Sequence, residues 1–215
     1  MEKTIGQQLS KHELRYRYDE FAPNFKYEEW VCNHIFGLKR LRRQHFGQAA
    51  GKVLDVATGT GVNFGHVPRT SQITAVDLSP GMLDIARARA RKLGLSVTFR
   101  VMDAEALDFP NDTFDSVISS LATCTFPHPL VALGEMARVC KPGGRILLLE
   151  HGCSSWRIAA NYQNRKAHQH YAQVGCRWNQ DPLAIVQAGG LVITRIQRHC
   201  AGLFYVIQAR PGKDQ

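Results

Sequence analysis

No apolar run in this chain approaches the ~20 residues that a membrane-spanning helix needs. The runs it has are short, such as Ile146 to Leu149. The stretch Met1 to Ser10 has no apolar h-region, so a secretory leader is not expected. An Arg-rich, acid-poor transit peptide fits poorly too, because Glu2, Glu13, Asp19 and Glu20 intervene. Charged residues are only 21% of the 215 and apolar residues 44%, which excludes wholesale disorder and leaves enough chain for a full core. The six cysteines (Cys32, Cys124, Cys140, Cys153, Cys176 and Cys200) contain no C-x-x-C pair. Neither a zinc ribbon nor a redox dithiol is indicated, and so ample a core does not call for a disulfide framework. Reduced thiols in a cytosol are the expectation. Repeats, low-complexity segments and clear linkers are also missing, so residues 1–215 read as one domain.

What is present begins with charge. There are 27 Lys and Arg against 18 Asp and Glu, a net +9. That balance suits an acidic partner or an anionic surface, and suits a merely solvated basic surface equally well. Residues 11–22 and 25–46 read as two N-terminal helices. Lys52 to Ala57, Gln72 to Asp77, Leu95 to Met102, Phe114 to Ser119 and Arg145 to Glu150 read as buried strands. Ser79-Pro80 opens a helix that ends at Gly94, and 128–140 is another. Pro142-Gly143-Gly144 reads as a turn. Strands alternating with helices predict a parallel sheet covered on both faces. Asp181-Pro182 opens a last helix to Ala188, and 190–198 with 202–210 predict an antiparallel hairpin.

The chemistry concentrates at strand ends. Strand one runs into Asp55-Val56-Ala57-Thr58-Gly59-Thr60-Gly61, a turn of small residues that lets a ligand approach the backbone. Such a turn can bind a dinucleotide or a nucleoside, or simply reverse the chain. The G-x-G-x-x-G dinucleotide pattern is not met: the frame begun at Gly59 has Phe64 last, and the frame begun two residues earlier has Ala57 first. Asp77 ends strand two, where a carboxylate can accept from both ribose hydroxyls of a nucleoside. Its bland role, capping the next helix, is already filled by Ser79. Asp103-Ala104-Glu105 follows strand three, and a short carboxylate there can accept from an exocyclic amine or serve an ordinary turn.

These residues, with Leu78-Ser79-Pro80-Gly81-Met82, Phe109-Pro110, Phe114-Asp115 and Arg138-Val139…Lys141-Pro142-Gly143-Gly144, resemble the class I S-adenosylmethionine-dependent methyltransferases. The likeness covers roughly residues 50–150 in order, nearest to the quinone and small-molecule subgroup. It implies an α/β, Rossmann-like, doubly wound and mostly parallel seven-stranded sheet with a C-terminal antiparallel hairpin and N-terminal lid helices. Residues 1–48 would be the lid and 49–215 the cofactor-binding core. It also implies S-adenosylmethionine as cofactor, held by Tyr18, Asp55, Ala57, Thr58, Gly59, Thr60, Gly61, Asp77, Leu78, Met82, Asp103, Ala104 and Ser120. Ala57 stands where the family usually has glycine, and Phe25-Lys26 where it usually repeats Tyr-Asp.

The C-terminal third, with Leu149-Glu150-His151-Gly152, Ser155-Trp156, Gly175-Cys176-Arg177-Trp178 and Ala188-Gly189-Gly190-Leu191, resembles the branch of phospholipid N-methyltransferases and membrane-associated thiol methyltransferases. That implies a small or lipid-like acceptor, with a phospholipid amine or a thiol favoured. Two alternatives stay open: a quinone-ring C-methyltransferase, and a catalytically vestigial RNA-binding or assembly factor. His151 follows strand five where an acceptor's proton could be taken, or is a structural histidine. Cys124 borders the acceptor or is an apolar core thiol. No metal is expected, because His151, His168 and His170 show no ligand spacing. Trp30, Val31, Ile35, Leu38 and Leu41 lie near helical spacing beside Lys39, Arg40, Arg42 and Arg43. That pattern fits peripheral binding to an anionic membrane, or a helix packed on the domain. A cytoplasmic location follows, with nucleic acid not expected as a partner.

Overall fold

The computed structural model describes residues 8–212. The leader expectation for Met1 to Gln7 lies outside them, as does the Lys26 side chain. Seven strands form one sheet: β1 (Lys52–Val56), β2 (Gln72–Asp77), β3 (Val97–Val101), β4 (Phe114–Ser120), β5 (Cys140–His151), β6 (Leu191–His199) and β7 (Phe204–Pro211). Their order is β3-β2-β1-β4-β5-β7-β6, and β7 runs antiparallel to both of its neighbours. The chain winds outward from β1 in two directions, so the order reverses between β1 and β4. In open α/β sheets a ligand crevice forms outside the carboxyl ends of the strands at such a point.

Alternation along the strands feeds two cores. Leu54, Val56, Val117, Ile146, Leu148 and Ile207 pack on one face with α5 (Pro129–Val139) and α7 (Pro182–Ala188). Val53, Ile118, Leu147, Leu149 and Val206 pack on the other with α3 (Leu38–Phe46) and α4 (Pro80–Leu93). Each fully buried aliphatic side chain contributes ~1.5–3 kcal/mol, so the central strands are the rigid frame of the site. Helix α4 starts as its sequence dictates: Ser79 Oγ accepts from Met82 N–H, Pro80 follows, and Gly94 closes the helix in the left-handed conformation.

Two expectations are corrected, and one helix is added. Residues 25–46 are not one helix but α2 (Phe25–His34) and α3, because Gly37 takes φ +69° and turns the chain. Pro142 to Gly144 lies inside β5, where Phe114 faces Cys140 but Ser116 faces Arg145, so the Pro-Gly-Gly residues bulge out of the ladder. The longest helix, α6 (Arg157–Val174), has no counterpart in the sequence reading. It buries only Gln163 and Tyr171, so it leaves almost no apolar periodicity to read. With α1 (Lys11–Phe21), α2 and α3 form the N-terminal lid. Residues of all three reach a cavity at the carboxyl ends of the strands.

Candidate functional site

The cavity has a volume of about 360 Å³, within the range of small-ligand sites. Its floor is the β1 turn. Ala57, Gly59 and Gly61 all take positive φ, which places backbone rather than side chains toward the ligand. A Cβ on Gly59 would point into open space, whereas one on Gly61 would run into the Phe64 ring. Gly59 therefore shapes a cradle, and Gly61 packs the turn against the core.

Asp77 Oδ2 accepts from Gly59 N–H at 2.8 Å and its Oδ1 from Ser79 N–H at 2.9 Å. Each oxygen keeps a second lone pair, so both can still receive a ligand hydroxyl. Desolvation pushes the Asp77 carboxyl up to about 6, against the pull of those N–H donors. Asp103 Oδ1 accepts from Glu105 N–H at 2.8 Å, and its Oδ2 pairs with Lys11 of the lid at 2.5 Å. Ser120 Oγ donates to Asn63 Oδ1, and Asn63 Nδ2 donates to Asp55.

Tyr18, Ala57, Thr58, Gly59, Thr60, Asp77, Leu78, Met82, Asp103, Ala104, Ser120 and His151 all line the cavity. Asp55 and Gly61 are not among its lining residues. Asp55 is buried behind the turn, where it accepts from Thr58 Oγ1 at 2.8 Å, and desolvation pushes it up to about 7. It holds the turn rather than facing the ligand.

The lid is tied to this floor by residues that the sequence reading passed over. Asp19 Oδ1 accepts from Ser79 Oγ at 2.6 Å and Gly81 N–H at 2.9 Å, placing a carboxylate at the N-terminus of α4. Glu29 accepts from Thr60 Oγ1 and pairs with Arg89, both at 2.7 Å. Arg42 lines the cavity and is buried, with Nη1 donating to Asn33 Oδ1 at 2.6 Å. Among the described residues its Nε finds no partner. The spacing did carry that signal: Leu38, Arg42, His45 and Phe46 form one i, i+4, i+7, i+8 stripe, and all four are buried. Arg42 thus leaves the basic face, where Lys39, Arg40 and Arg43 remain exposed.

At the cavity's other end His151 is not a lone base. Its Nε2 lies 3.1 Å from Cys124 Sγ and 3.3 Å from Cys176 Sγ. Around this cluster the wall is apolar: Leu14 packs on Gly175, and Leu121, Phe126 and Val174 lie beside the two cysteines. Buried Glu150 accepts from Thr123 N–H, and burial raises it to about 7.

The arrangement holds what a nucleoside carrying an amino acid and a sulfonium would use. A ribose would find Asp77, and an adenine amine would find Asp103. A carboxylate would find the orphan Arg42 N–H, and a sulfonium cation would find Tyr18, Phe21 and Phe25 around the cavity.

Comparison with known proteins agrees. Residues 54–148 match a family described as "Methyltransferase domain". A phosphatidylethanolamine N-methyltransferase of Cereibacter sphaeroides is 36% identical over 138 residues, covering 60% of this chain and 68% of that protein. A ubiquinone/menaquinone biosynthesis C-methyltransferase of Bdellovibrio bacteriovorus is 35% identical, covering 65% of this chain and 62% of its own length. Among solved structures, a geranyl diphosphate C-methyltransferase from Streptomyces coelicolor superposes with a TM-score of 0.67 at 19% identity, covering 86% of this chain and 84% of that one. At that identity the likeness concerns the fold.

Proposed function

The chain belongs to the class I S-adenosylmethionine-dependent methyltransferases, and from that premise we propose that it methylates an amphipathic, lipid-like acceptor whose nucleophile is an amine or a thiol. The observation that carries this reading is the apolar wall of Leu14, Leu121, Phe126 and Val174, which leads from the cofactor turn to the Cys124–His151–Cys176 cluster. An aliphatic chain fits that wall, and a polar head fits the cluster.

When bound, S-adenosylmethionine supplies an activated methyl group. The chain's own part is placement and exclusion of water. Asp77 holds the ribose hydroxyls and Asp103 the adenine amine. Arg42 meets the carboxylate, and Ser120 borders the sulfur. Helices α1, α2 and α3 cover the site, and the strand ends and their loops supply its floor.

No helix of the described residues is long and apolar enough to cross a membrane. The route we propose to a lipid acceptor is a peripheral one, through α2 and α3. Trp30 and Ile35 are 53% and 63% exposed, Tyr27 is exposed as well, and the exposed cations Lys39, Arg40 and Arg43 follow on α3. Each cation near an anionic surface contributes ~1 kcal/mol, so three change partition measurably. In co-sedimentation, the chain is expected to prefer anionic over neutral vesicles and to lose that preference at high salt. Changing Lys39, Arg40 and Arg43 together to Glu should abolish it. Arg42 is left intact because it is buried. Equal partition of the two proteins assigns the helices to packing alone.

The reaction itself is tested with labelled S-adenosylmethionine against phosphatidylethanolamine vesicles, alkyl thiols and quinols, with products read by mass spectrometry. Label in amine or thiol products supports the proposal. Label confined to quinol carbon favours the second relative's chemistry. Cofactor binding without label in any product favours a vestigial enzyme.

A further inference from the structure

Cys124, His151 and Cys176 come from three separate places: the loop after β4, the end of β5 and the segment after α6. Fifty-two residues separate the two cysteines, yet their sulfurs lie 3.4 Å apart, with His151 Nε2 within 3.3 Å of both. Every pair of these ligand atoms lies within 4.8 Å. Tetrahedral zinc with Zn–S of ~2.3 Å and Zn–N of ~2.0–2.1 Å sets sulfurs ~3.8 Å apart and sulfur to nitrogen ~3.6 Å apart. The cluster reaches that triangle by opening a few tenths of an ångström.

Its surroundings are those of a metal site. The His151 imidazole also hydrogen-bonds the Trp178 carbonyl, the kind of outer contact that fixes a ligating ring. Cys176 receives a hydrogen bond from His170, whose ring stacks on Trp178 at 4.2 Å. Two thiolates cancel the charge of a divalent cation, so the filled site adds no net charge to an apolar wall. Two sulfurs and one imidazole suit a borderline-soft ion such as zinc rather than magnesium or calcium.

We propose that Cys124, His151 and Cys176 bind one zinc ion at the acceptor end of the cavity, with its fourth position open toward the methyl donor and taken by an acceptor thiol. This deepens the reading given above, and rests on it, by naming the thiol among the favoured nucleophiles. The balance is complete. The acceptor R–SH binds zinc through sulfur and releases its proton to solvent. A sulfur lone pair then forms the bond to the methyl carbon as the carbon–sulfonium bond breaks. That bond's electron pair stays on the departing S-adenosylhomocysteine sulfur. The thioether product, a weaker ligand than thiolate, then leaves zinc.

The test uses the whole chain purified under reducing conditions. Elemental analysis should find about one zinc per chain. Replacement by Co²⁺ should give the intense visible bands of a tetrahedral site together with a near-ultraviolet thiolate-to-cobalt band. Cys124→Ser, Cys176→Ser and His151→Ala should each lower metal retention at least tenfold, with circular dichroism confirming that each variant is folded. Ethanethiol added to the cobalt protein should intensify the thiolate band.

Absence of stoichiometric metal overturns the proposal, as does a wild-type cobalt spectrum without a thiolate band. A Cys124–Cys176 disulfide in the purified chain also overturns it. A spectrum indifferent to ethanethiol, but changed by His170→Ala, overturns the open position by making His170 the fourth ligand. Calorimetry of S-adenosylhomocysteine on the metal-stripped wild type keeps the two readings apart. Binding there with no metal site leaves the methyltransferase reading standing. No binding sinks that reading whatever the metal does.

Discussion

Replacing Asp77 with Ala should weaken S-adenosylhomocysteine binding about a hundredfold or more in calorimetry. Two hydroxyl donors to a carboxylate are worth ~1.5–3 kcal/mol each, and ~3 kcal/mol is about two decades of affinity. The same change also strips Gly59 and Ser79 N–H groups of their acceptor, loosening the turn that carries the methionine end. Asp77→Asn keeps the shape and separates the two effects. It should lose less affinity, and it should lose the pH dependence.

That dependence has a definite sign. Ribose hydroxyls favour the ionised carboxylate, so binding lowers the Asp77 pKa from about 6, where burial and the neighbouring Asp19 charge hold it. Ligand binding therefore expels a proton below pH 6. Affinity should be flat above pH ~7 and fall by about tenfold per unit below 6. An Asp77→Ala affinity within threefold of wild type, or a wild-type profile flat down to pH 5, removes Asp77 from the ribose.

Arg42→Met should separate stability from function. The guanidinium is buried with an Nε that has no partner among the described residues, and desolvation lowers its pKa. Exchanging it for an apolar chain of similar length removes that desolvation cost, which outweighs the lost attraction to Glu29 and Asp55 because desolvation is the larger influence on the group. The unfolding midpoint should hold or rise. Asn33, which loses its donor, is only half-buried and can turn to water. Removing one member of a buried charge pair costs ~2–5 kcal/mol of binding, so S-adenosylhomocysteine affinity should fall at least ~30-fold. A ligand lacking the carboxylate, such as methylthioadenosine, should bind both proteins alike. If Arg42→Met weakens both ligands equally, Arg42 shapes the cavity and does not read the carboxylate.

The parts of the site that were legible in sequence share one property: each is local. Asp77 and Asp103 could be placed because a strand end and a turn follow them directly, and Ser79-Pro80 marked its helix by capping chemistry alone. The C-terminal hairpin, read from two β-rich runs around Ala201-Gly202, pairs as expected. What escaped depends on distance or on weak patterning. Helix α6 turns one stripe inward (Ala160, Gln163, Ala167, His170, Tyr171 and Val174), but most of its members are small or polar and give no apolar period. Gly37 looked like one residue in a long amphipathic run, yet its positive φ makes two helices of it. Cys124 and Cys176 stand 52 residues apart in sequence, and only the folded sheet brings them together. By charge Arg42 belongs with its basic neighbours Lys39, Arg40 and Arg43. The 3.6-residue period had already put it on the buried stripe.

The lid's fastenings have a consequence for timing. Lys11 grips Asp103 and Glu105, Asp19 holds the start of α4, and Glu29 holds Thr60 and Arg89. Opening α1 and α2 away from the cavity means parting these contacts, and lid opening of this kind limits turnover in many enzymes. One fastening is shared with the guest itself, because the carboxylate assigned to adenine is the one Lys11 grips. An adenine amine at Asp103 would therefore share that carboxylate with α1.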